Sequence, residues 1–401
     1  MPTEIKNLKK GAIRILEAVK NKERIIIYGD ADPDGISSVV ILKEALEVLA
    51  PSQYKKGRLI EVYFPNRETE GYGINEKALK FLKKKAPALF ITLDCGIGNV
   101  KEVDLAKKMG FEIIIIDHHE VLSKVPKASI IIDPKQKQDK YPFKQLSAAA
   151  ICYKLVKTLL SLAKKSYQPE KFLELVAIST LADQMPVQNE NVKLIREGIL
   201  ALNYTKRKGL KTLIKETGFK TFNPKKVSLL RNENFDIEEI WQKIISPLNA
   251  SGFRGHLTET YLLLTAKTVA GAKVLAKTLI KKQEKRREEM KRIFDETETR
   301  INPAESIVFE GDPSWPLILM GPVASRICRK YNVPTFLFKK GKKESPGSVR
   351  TPSGVDGVKA MASCNNLLKT YGGHPLASGF RVKNENLKKF KKGLIKYIKK
   401  L

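Results

Sequence analysis

Residues 25–35 read IIIYGDADPDG, a short β-branched run that ends in three closely spaced aspartates. Four more short apolar runs follow at 61–64, 89–93, 113–116 and 129–132, and helix-length amphipathic stretches separate the first four of the five runs. Strands that alternate with helices are typical of βαβ units, and continuously apolar strands fit a parallel sheet covered on both faces. The sequence therefore predicts an α/β fold with a doubly wound parallel sheet.

The remaining chain predicts two further regions. Helical spacing continues to residue 215, and residues 258–300 predict one long helical stretch that is almost wholly charged over 281–292. Strand-like runs return after Asn302, at 307–309, 316–320, 335–338 and 347–350. We therefore expect a larger α/β domain over residues 1–215, a helical connector over residues 216–300 and a smaller α/β domain over residues 301–401.

The composition narrows the class of protein. The formal net charge of +31 over 401 residues creates a positive field, so polyanions, and nucleic acid first among them, are the expected partners. A second interpretation stays open, because highly charged surfaces also occur in proteins from hot habitats. No apolar run approaches the ~18 to 20 residues of a membrane span, and no signal peptide is evident, so we expect a cytoplasmic protein without membrane contact. The four cysteines form no CxxC pair, which argues against a zinc ribbon or a disulfide framework.

Acidic and imidazole side chains directly follow three of the predicted strands, namely Asp30, Asp32, Asp34, Asp94, Asp117, His118 and His119, and Asp183 follows an apolar helical stretch. Each alone has an ordinary explanation as a helix cap or a turn residue. Together, at one sheet edge, they would repel one another strongly unless cations neutralised them. Carboxylates with an imidazole favour manganese or magnesium over a closed zinc site, and two such ions could hold a phosphate for hydrolysis.

Seven motifs occur in a fixed order along the chain: DADPDG at 30–35, PNRETEGYG at 65–73, LDCG at 93–96, DHH at 117–119, LADQMP at 181–186, GSVRTPSG at 347–354 and YGGHPLASGF at 371–380. This series resembles the DHH phosphoesterase superfamily and, within it, the RecJ-like single-strand exonucleases. The resemblance implies a DHH catalytic domain joined by the connector to a DHH-associated substrate-binding domain. It is nearest to the compact archaeal type, for which we expect no OB-fold.

The resemblance also implies roles for the acidic and imidazole residues. The metal ligands would be Asp32, Asp34, Asp94, His118 and Asp183, with Asp94 as the bridging carboxylate between two divalent cations, Mn²⁺ first and Mg²⁺ second. His119 and Asp30 would be the catalytic residues beside them, although His119 could instead only orient its neighbours. Asp117 would support the histidine loop rather than bind metal.

The same resemblance implies a set of substrate-binding residues: Arg67, Arg254, Arg326, Ser348, Arg350, Gly372, Gly373 and His374. A guanidinium can bind a phosphate through two hydrogen bonds, and paired glycines allow the chain to come close to a ligand. The alternatives are ordinary surface ion pairs for the arginines and a simple turn for the glycines. Phe253 displaces the arginine that follows NASG in relatives, and Trp315-Pro316 stands where they often have Trp-His.

The implied function is a metal-dependent exonuclease that acts on single-stranded DNA, or on RNA, and releases nucleoside 5′-monophosphates during replication or repair. Replication or repair proteins are the implied protein partners. Two alternatives remain: a nanoRNase or cyclic-dinucleotide phosphodiesterase of the same superfamily, and a replication scaffold with little catalysis. The +31 charge favours a longer polymer over a dinucleotide.

Overall fold

The computed structural model describes residues 4–49, 59–121, 124–165, 168–220, 237–302 and 304–400. The chain forms two compact units, Met1–Gln283 and Glu284–Leu401. No helix of the described residues is both long and apolar enough to cross a membrane. The four cysteines are buried and free.

The first unit is built on a five-stranded sheet. Its strands are β1 (Ile25–Gly29), β2 (Ile60–Tyr63), β3 (Ala88–Leu93), β4 (Phe111–Ile116) and β5 (Ile130–Ile132). They lie in the order β2-β1-β3-β4-β5, and every pairing is parallel. All five strands fall on the predicted apolar runs, so the predicted parallel sheet is confirmed.

Helices cover both faces of this sheet. The helices of residues 8–217 are α1 (Leu8–Lys20), α2 (Pro33–Leu49), α3 (Glu76–Leu82), α4 (Val100–Lys108), α5 (Ala148–Leu162), α6 (Leu173–Ala182), α7 (Glu190–Leu202) and α8 (Lys208–Thr217). Successive residues of β1 point to opposite faces: Ile25 and Ile27 join the core formed with α2 and α5, whereas Ile26 and Tyr28 join the core formed with α3 and α4. The doubly wound arrangement is therefore confirmed.

Much of the predicted connector belongs to the first unit. It contains α9 (Ile237–Ile240), α10 (Ser246–Asn249) after a π-helical turn, the hairpin of β6 (Phe253–Arg254) and β7 (Leu257–Thr258), α11 (Glu259–Leu264) and α12 (Val269–Arg300). Ile244, Leu263 and Leu279 pack into the same core as α2, which explains why the unit extends to Gln283. Residues 221–236 lie outside the described residues. The predicted single helix over 258–300 is wrong, because the chain leaves helical structure between α11 and α12.

The second unit contains a mixed sheet. Its elements are β8 (Val308–Asp312), α13 (Leu317–Tyr331), β9 (Thr335–Lys339), β10 (Glu344–Arg350), α14 (Gly357–Ala362), β11 (Leu368–His374), β12 (Ala377–Lys383) and α15 (Leu387–Ile398). The strand order of this sheet is β11-β12-β10-β9-β8; the β8–β9 pairing is parallel, and its other three described pairings are antiparallel. This is the smaller α/β domain that the sequence predicted.

One strand prediction in this unit is wrong. Residues 316–320 begin α13 rather than a strand, because Pro316 ends the preceding loop and helical spacing then buries Leu319 and Val323 while Ile318 stays exposed. The predicted boundaries at 215/216 and 300/301 stay predictions, since the compact units divide inside α12, between Gln283 and Glu284.

Candidate metal centre and phosphate-binding residues

Three aspartates occupy equivalent positions at the carboxyl edge of the first sheet. The backbone N–H of Asp30 donates to the carbonyl of Leu93 at 3.2 Å, and that of Asp94 donates to Ile116 at 3.0 Å. The N–H of Asp117 donates in the same way to the carbonyl of Ile132 at 3.1 Å. The hydrogen-bond ladder of the parallel strands thus runs one residue past each strand, and it places the three side chains at one edge.

His118 lies at the centre of this edge. Its Nε2 is 3.2 Å from Asp94 Oδ1, 3.4 Å from Asp183 Oδ2 and 3.7 Å from Asp34 Oδ2. His118, Asp34 and Asp94 are buried, and Asp183 is partly buried at the end of α6. Within the described residues, neither ring nitrogen of His118 nor Oδ1 of Asp94 has a hydrogen-bond partner. Buried polar atoms without partners are costly, so this donor set fits a cation.

A second group of carboxylates shares Asp94. Asp30, Asp32 and Asp94 offer oxygens that lie within 4.8 Å of one another. Asp32 Oδ1 accepts hydrogen bonds from the backbone N–H groups of Asp34 and Gly35 at 3.1 and 3.0 Å. Asp32 therefore also caps α2, which was the alternative explanation for an aspartate at this position. Its other oxygen, Oδ2, lies 2.9 Å from the Arg67 guanidinium, so a cation bound there would share Asp32 with Arg67. The bridging role of Asp94 remains a prediction, but its position in both groups is compatible with that role.

The electrostatics also favour a bound cation. Burial raises the pKa of the Asp94 carboxyl well above its usual range, and the Asp34 and Asp32 carboxylates raise it further. Burial likewise raises the pKa of Asp183 to about 8, with Asp34 as the next cause. Burial lowers the pKa of His118, which favours the neutral imidazole that binds metals. The Asp94 and Asp183 carboxyls therefore resist ionisation unless cations are present.

Asp34 is held by contacts that the sequence did not reveal. Its carboxylate accepts the backbone N–H groups of Ala148 and Ala149, both at 2.8 Å, and the Ser179 hydroxyl. The N-terminus of α5 therefore stabilises the negative charge of Asp34 and fixes its orientation. Ser147 before Ala148 was a recognisable helix cap, but no local signal linked that helix end to Asp34.

His119 is fixed between two partners. Its Nδ1 is 2.7 Å from Asp117 Oδ1, and its Nε2 is 3.2 Å from the Tyr72 hydroxyl. Asp117 also accepts the N–H groups of His118 at 2.8 Å and Ile97 at 3.0 Å, so it supports the histidine loop. Burial alone would lower the pKa of His119, but the hydrogen bond and charge of Asp117 raise it above its usual value.

Tyr72 is a residue that sequence reasoning missed. Its hydroxyl contacts both His119 Nε2 and the carbonyl of Asp94, the latter at 3.3 Å, and its side chain is 51% exposed. The flanking Gly71 and Gly73 have φ of 92° and 76°, which side chains rarely adopt. The GYG motif was visible, but the sequence did not show that the turn aims Tyr72 at the histidine.

Two of the predicted arginines lie in the first unit. Arg67 Nε donates to Asp30 Oδ1 at 2.8 Å, and its guanidinium is 2.9 Å from Asp32 Oδ2. Arg67 thus lies beside the carboxylates of the candidate metal centre, whereas Arg254 is exposed in the β6–β7 hairpin with Nε 3.8 Å from Glu259. The ring of His256 in that hairpin stacks on the ring of Tyr63, with 4.4 Å between the two centroids. Tyr63 ends β2, and the segment that follows it leads to Arg67.

Four of the six predicted residues of the second unit lie on one face of its sheet. Directly paired residues of antiparallel strands share a face. Arg350, Ala377 and His374 form one row across β10, β12 and β11, and Ser348, Gly379 and Gly372 form the next. We call this side of the three strands the Arg350 face. Gly373 points to the opposite side, with φ of 127°, and a Cβ there would lie 2.7 Å from Ser378 Cα.

Arg326 lies apart from these rows. Its guanidinium is 4.4 Å above the ring of Phe294, whereas the preceding Ser325 accepts a hydrogen bond from Arg350 Nε at 3.0 Å. Gly321 lies one helical turn before Ser325 and leaves room for the Arg350 guanidinium, because a Cβ on Gly321 would lie 2.9 Å from an Arg350 nitrogen. Consecutive helical residues point about 100° apart, which explains why Ser325 rather than Arg326 meets Arg350.

Comparison with known proteins shows what this chain is similar to. The model of the DHH family, N-terminal domain, matches residues 24–180, and that of the DHHA1 domain matches residues 305–400. The single-stranded-DNA-specific exonuclease RecJ of Bacillus subtilis (strain 168) is 31% identical over 391 residues, which are 96% of this chain and 47% of that protein. This chain is a RecJ-like DHH superfamily member.

Further similarities connect this RecJ-like chain to a metal-bound relative. A crystal structure of exonuclease RecJ bound to manganese has a TM-score of 0.81 and 25% identity, and the match covers 100% of this chain and 96% of that one. RecJ of Thermus thermophilus is 29% identical over 380 residues, or 94% of this chain and 52% of that protein. The chain therefore spans about half the length of these two curated relatives. Its DHH and DHHA1 matches contain every predicted site residue except Asp183 and Arg254.

Proposed function

We propose that this RecJ-like chain is a metal-dependent exonuclease that hydrolyses phosphodiester bonds of single-stranded DNA and releases nucleoside 5′-monophosphates. The observation that carries the proposal is the buried His118 ring, whose Nε2 faces the carboxylates of Asp34, Asp94 and Asp183 without a hydrogen-bond partner among the described residues. The names of the curated relatives, single-stranded-DNA-specific exonucleases, support the substrate class.

Two divalent cations, with Mn²⁺ first, are the proposed cofactors, held by Asp32, Asp34, Asp94, His118 and Asp183. When bound, such ions supply positive charge that neutralises the carboxylates and stabilises charge on a reacting phosphate. The oxygen-rich donor set with one imidazole suits Mn²⁺ or Mg²⁺, and the manganese-bound relative supports the first choice.

The chain's own groups have distinct proposed tasks. His119 is proposed to contact the scissile phosphate through Nε2, the ring nitrogen that now contacts the Tyr72 hydroxyl, while Asp117 holds Nδ1 and fixes the ring. Arg67 holds Asp30 and Asp32 and remains 43% exposed, so it can also contact a phosphate oxygen. No metal is required for these positioning contacts, since they are made within the protein.

The substrate would be held by the second unit and by the overall field. Arg350, Ser348 and His374 present donors on one sheet face, where backbone phosphates of a single strand can bind. The net charge of +31 attracts a polyanion, so affinity should fall as salt rises. Replication or repair proteins are the proposed partners of such an activity, and the cytoplasm is the proposed compartment.

A single assay tests the function. Single strands of DNA and RNA labelled at either end are incubated with Mn²⁺, and nucleoside 5′-monophosphates and end polarity are scored; a dinucleotide is compared with a ~20-mer. Asp94→Ala should abolish hydrolysis, whereas Asp104→Ala, an exposed carboxylate on α4, should leave it unchanged. Manganese-dependent activity of Asp94→Ala near the wild-type level would refute the mechanism.

A further inference from the structure

The Arg350 face continues beyond the two rows of candidate phosphate-binding residues. Along β10 and β12 the pairs on this side are Arg350–Ala377, Ser348–Gly379, Pro346–Arg381 and Glu344–Lys383. Six residue steps of about 3.3 Å separate the two ends of β10, so the face extends for about 20 Å. The second row of the face is Ser348, Gly379 and Gly372, and the third is Pro346, Arg381 and Thr370. Helix α13 packs beside Ser348 and Arg350, whereas exposed residues of β11 and β12 leave a surface along which an extended chain can lie.

Basic residues gather at the far end of this face. They lie in the β9–β10 hairpin and at the adjoining ends of β11 and β12, and all are exposed: Lys339, Lys340, Lys342, Lys343, Lys369, Arg381 and Lys383. We call this set the lysine end. The Asn384 side chain donates to the carbonyl of Gly341 at 2.8 Å, and its N–H donates to that of Lys343 at 3.0 Å. These bonds hold the hairpin beside the end of β12.

The positive charge of the lysine end is only partly neutralised. Glu344 pairs with Lys369 and Arg381, Glu385 pairs with Lys383 at 3.4 Å, and Asp312 pairs with Arg300 at 3.1 Å. No acidic partner within the described residues reaches the four hairpin lysines, Lys339, Lys340, Lys342 and Lys343. Four uncompensated charges on one hairpin form a local attractor for an anionic polymer.

The composition of the lysine end favours nucleic acid over protein. Protein interfaces usually have an apolar or aromatic centre, whereas none of the exposed large apolar side chains among the described residues lies in residues 339–344, 368–370 or 381–384, which carry this set. Lysines are compact point charges that suit sequence-independent contact with phosphates. An acidic polypeptide is the competing occupant.

We propose that the lysine end is a second binding region for the phosphate backbone of single-stranded nucleic acid. It lies about 20 Å along the sheet from Arg350 and His374. The choice of ligand rests on the proposed nuclease function. A strand held near Arg350 contacts the lysine end only if it is long enough to span the face, so this region discriminates between short and long strands.

The test measures binding in the Asp94→Asn background, which prevents hydrolysis, with fluorescent single strands of about 4 and about 25 nucleotides over a range of salt concentrations. The variant replaces Lys339, Lys340, Lys342 and Lys343 with Gln. The matched control replaces Lys9, Lys10, Lys20 and Lys22, four lysines of the first unit that are also exposed. Circular dichroism and melting curves check that both variants fold.

For the long strand, the slope of log K against log salt should become smaller by about 2 to 3 in the hairpin variant, since each lost phosphate contact removes about 0.7. Binding of the short strand should not change, and the control should bind both strands like the parent. The proposal would be overturned by an unchanged slope in the hairpin variant or by an equal change in the control. It would also be overturned if polyglutamate displaced the long strand as effectively as unlabelled DNA does. Absence of hydrolysis by the wild-type protein would refute the nuclease function instead, and that result is read separately from the slope.

Discussion

The two sheets of this protein present their candidate functional groups in opposite ways. The first gathers like-charged carboxylates around a buried imidazole at the ends of parallel strands, whereas the second displays cations and small residues on an exposed antiparallel face. Buried like charges need a counter-ion, while exposed lysines are satisfied by water. Substitutions at the first site should therefore change metal binding and turnover, and those at the second should change affinity and its salt dependence.

The largest effect is expected at the centre of the first site. His118→Ala should lower kcat with Mn²⁺ at least about 100-fold, because it removes the one imidazole that faces three carboxylates. Isothermal titration with Mn²⁺ should show weakened metal binding in the same variant. Unchanged metal affinity in a folded His118→Ala protein would contradict the ligand role.

The thermal stability of the protein should also depend on the buried carboxylates of the first site, and this can be measured without any substrate. The raised pKa of Asp183, about 8, means that the folded metal-free protein keeps a proton that the unfolded chain releases, so this group costs stability as pH rises from about 4 to about 8. In EDTA, Asp183→Asn should therefore gain Tm relative to wild type across this window, by roughly 2 to 4 °C. Mn²⁺ should reverse the order at pH 8. A Tm difference in EDTA that does not vary with pH would refute this account.

A smaller loss is expected when only the orientation of His119 is disturbed. Asp117→Asn should lower kcat by about 10- to 100-fold, because the amide keeps the size of the side chain but loses the charge that holds Nδ1. Tyr72→Phe should cost about 2- to 10-fold, the value of one neutral hydrogen bond. If Tyr72→Phe were the more damaging of the two, the hydroxyl would have a role beyond holding the ring.

The second site should respond most weakly and mainly in affinity. Arg350→Lys should raise KM for a single strand by about 3- to 10-fold with little change in kcat, because lysine keeps the charge but loses the planar fork. Arg326→Lys is the matched control, since Arg326 stacks on Phe294 outside the two rows. A larger effect for Arg326→Lys would show that the rows do not define the phosphate contacts.

The sequence was most informative where local pattern and topology agree. The strands of the first sheet were predictable because β-branched runs such as residues 113–116 are continuously apolar, and parallel pairing then brings Asp30, Asp94 and Asp117 to one edge. The prediction of particular metal ligands needed the family resemblance as well, since an aspartate after a strand can simply cap a helix, as Asp32 does.

What escaped prediction depends on contacts between distant parts of the chain. The hydrogen bonds from Ala148 and Ala149 to Asp34 join residues more than 100 positions apart. The rows on the Arg350 face depend on the register of β10, β11 and β12, which a single sequence does not specify. Residues 316–320 resemble a strand in sequence because a short apolar run is ambiguous between strand and helix.

The position of α12 has a practical consequence for dissecting the molecule. Ile293 and Phe294 lie in this helix and are buried against Trp315, Met320 and Val323 of the second unit. A fragment that begins at residue 301 would lose both side chains and expose the apolar surface beneath them, so we expect it to aggregate. A fragment that begins at Glu284 keeps these contacts, and it is the better starting point for measuring the second unit in isolation.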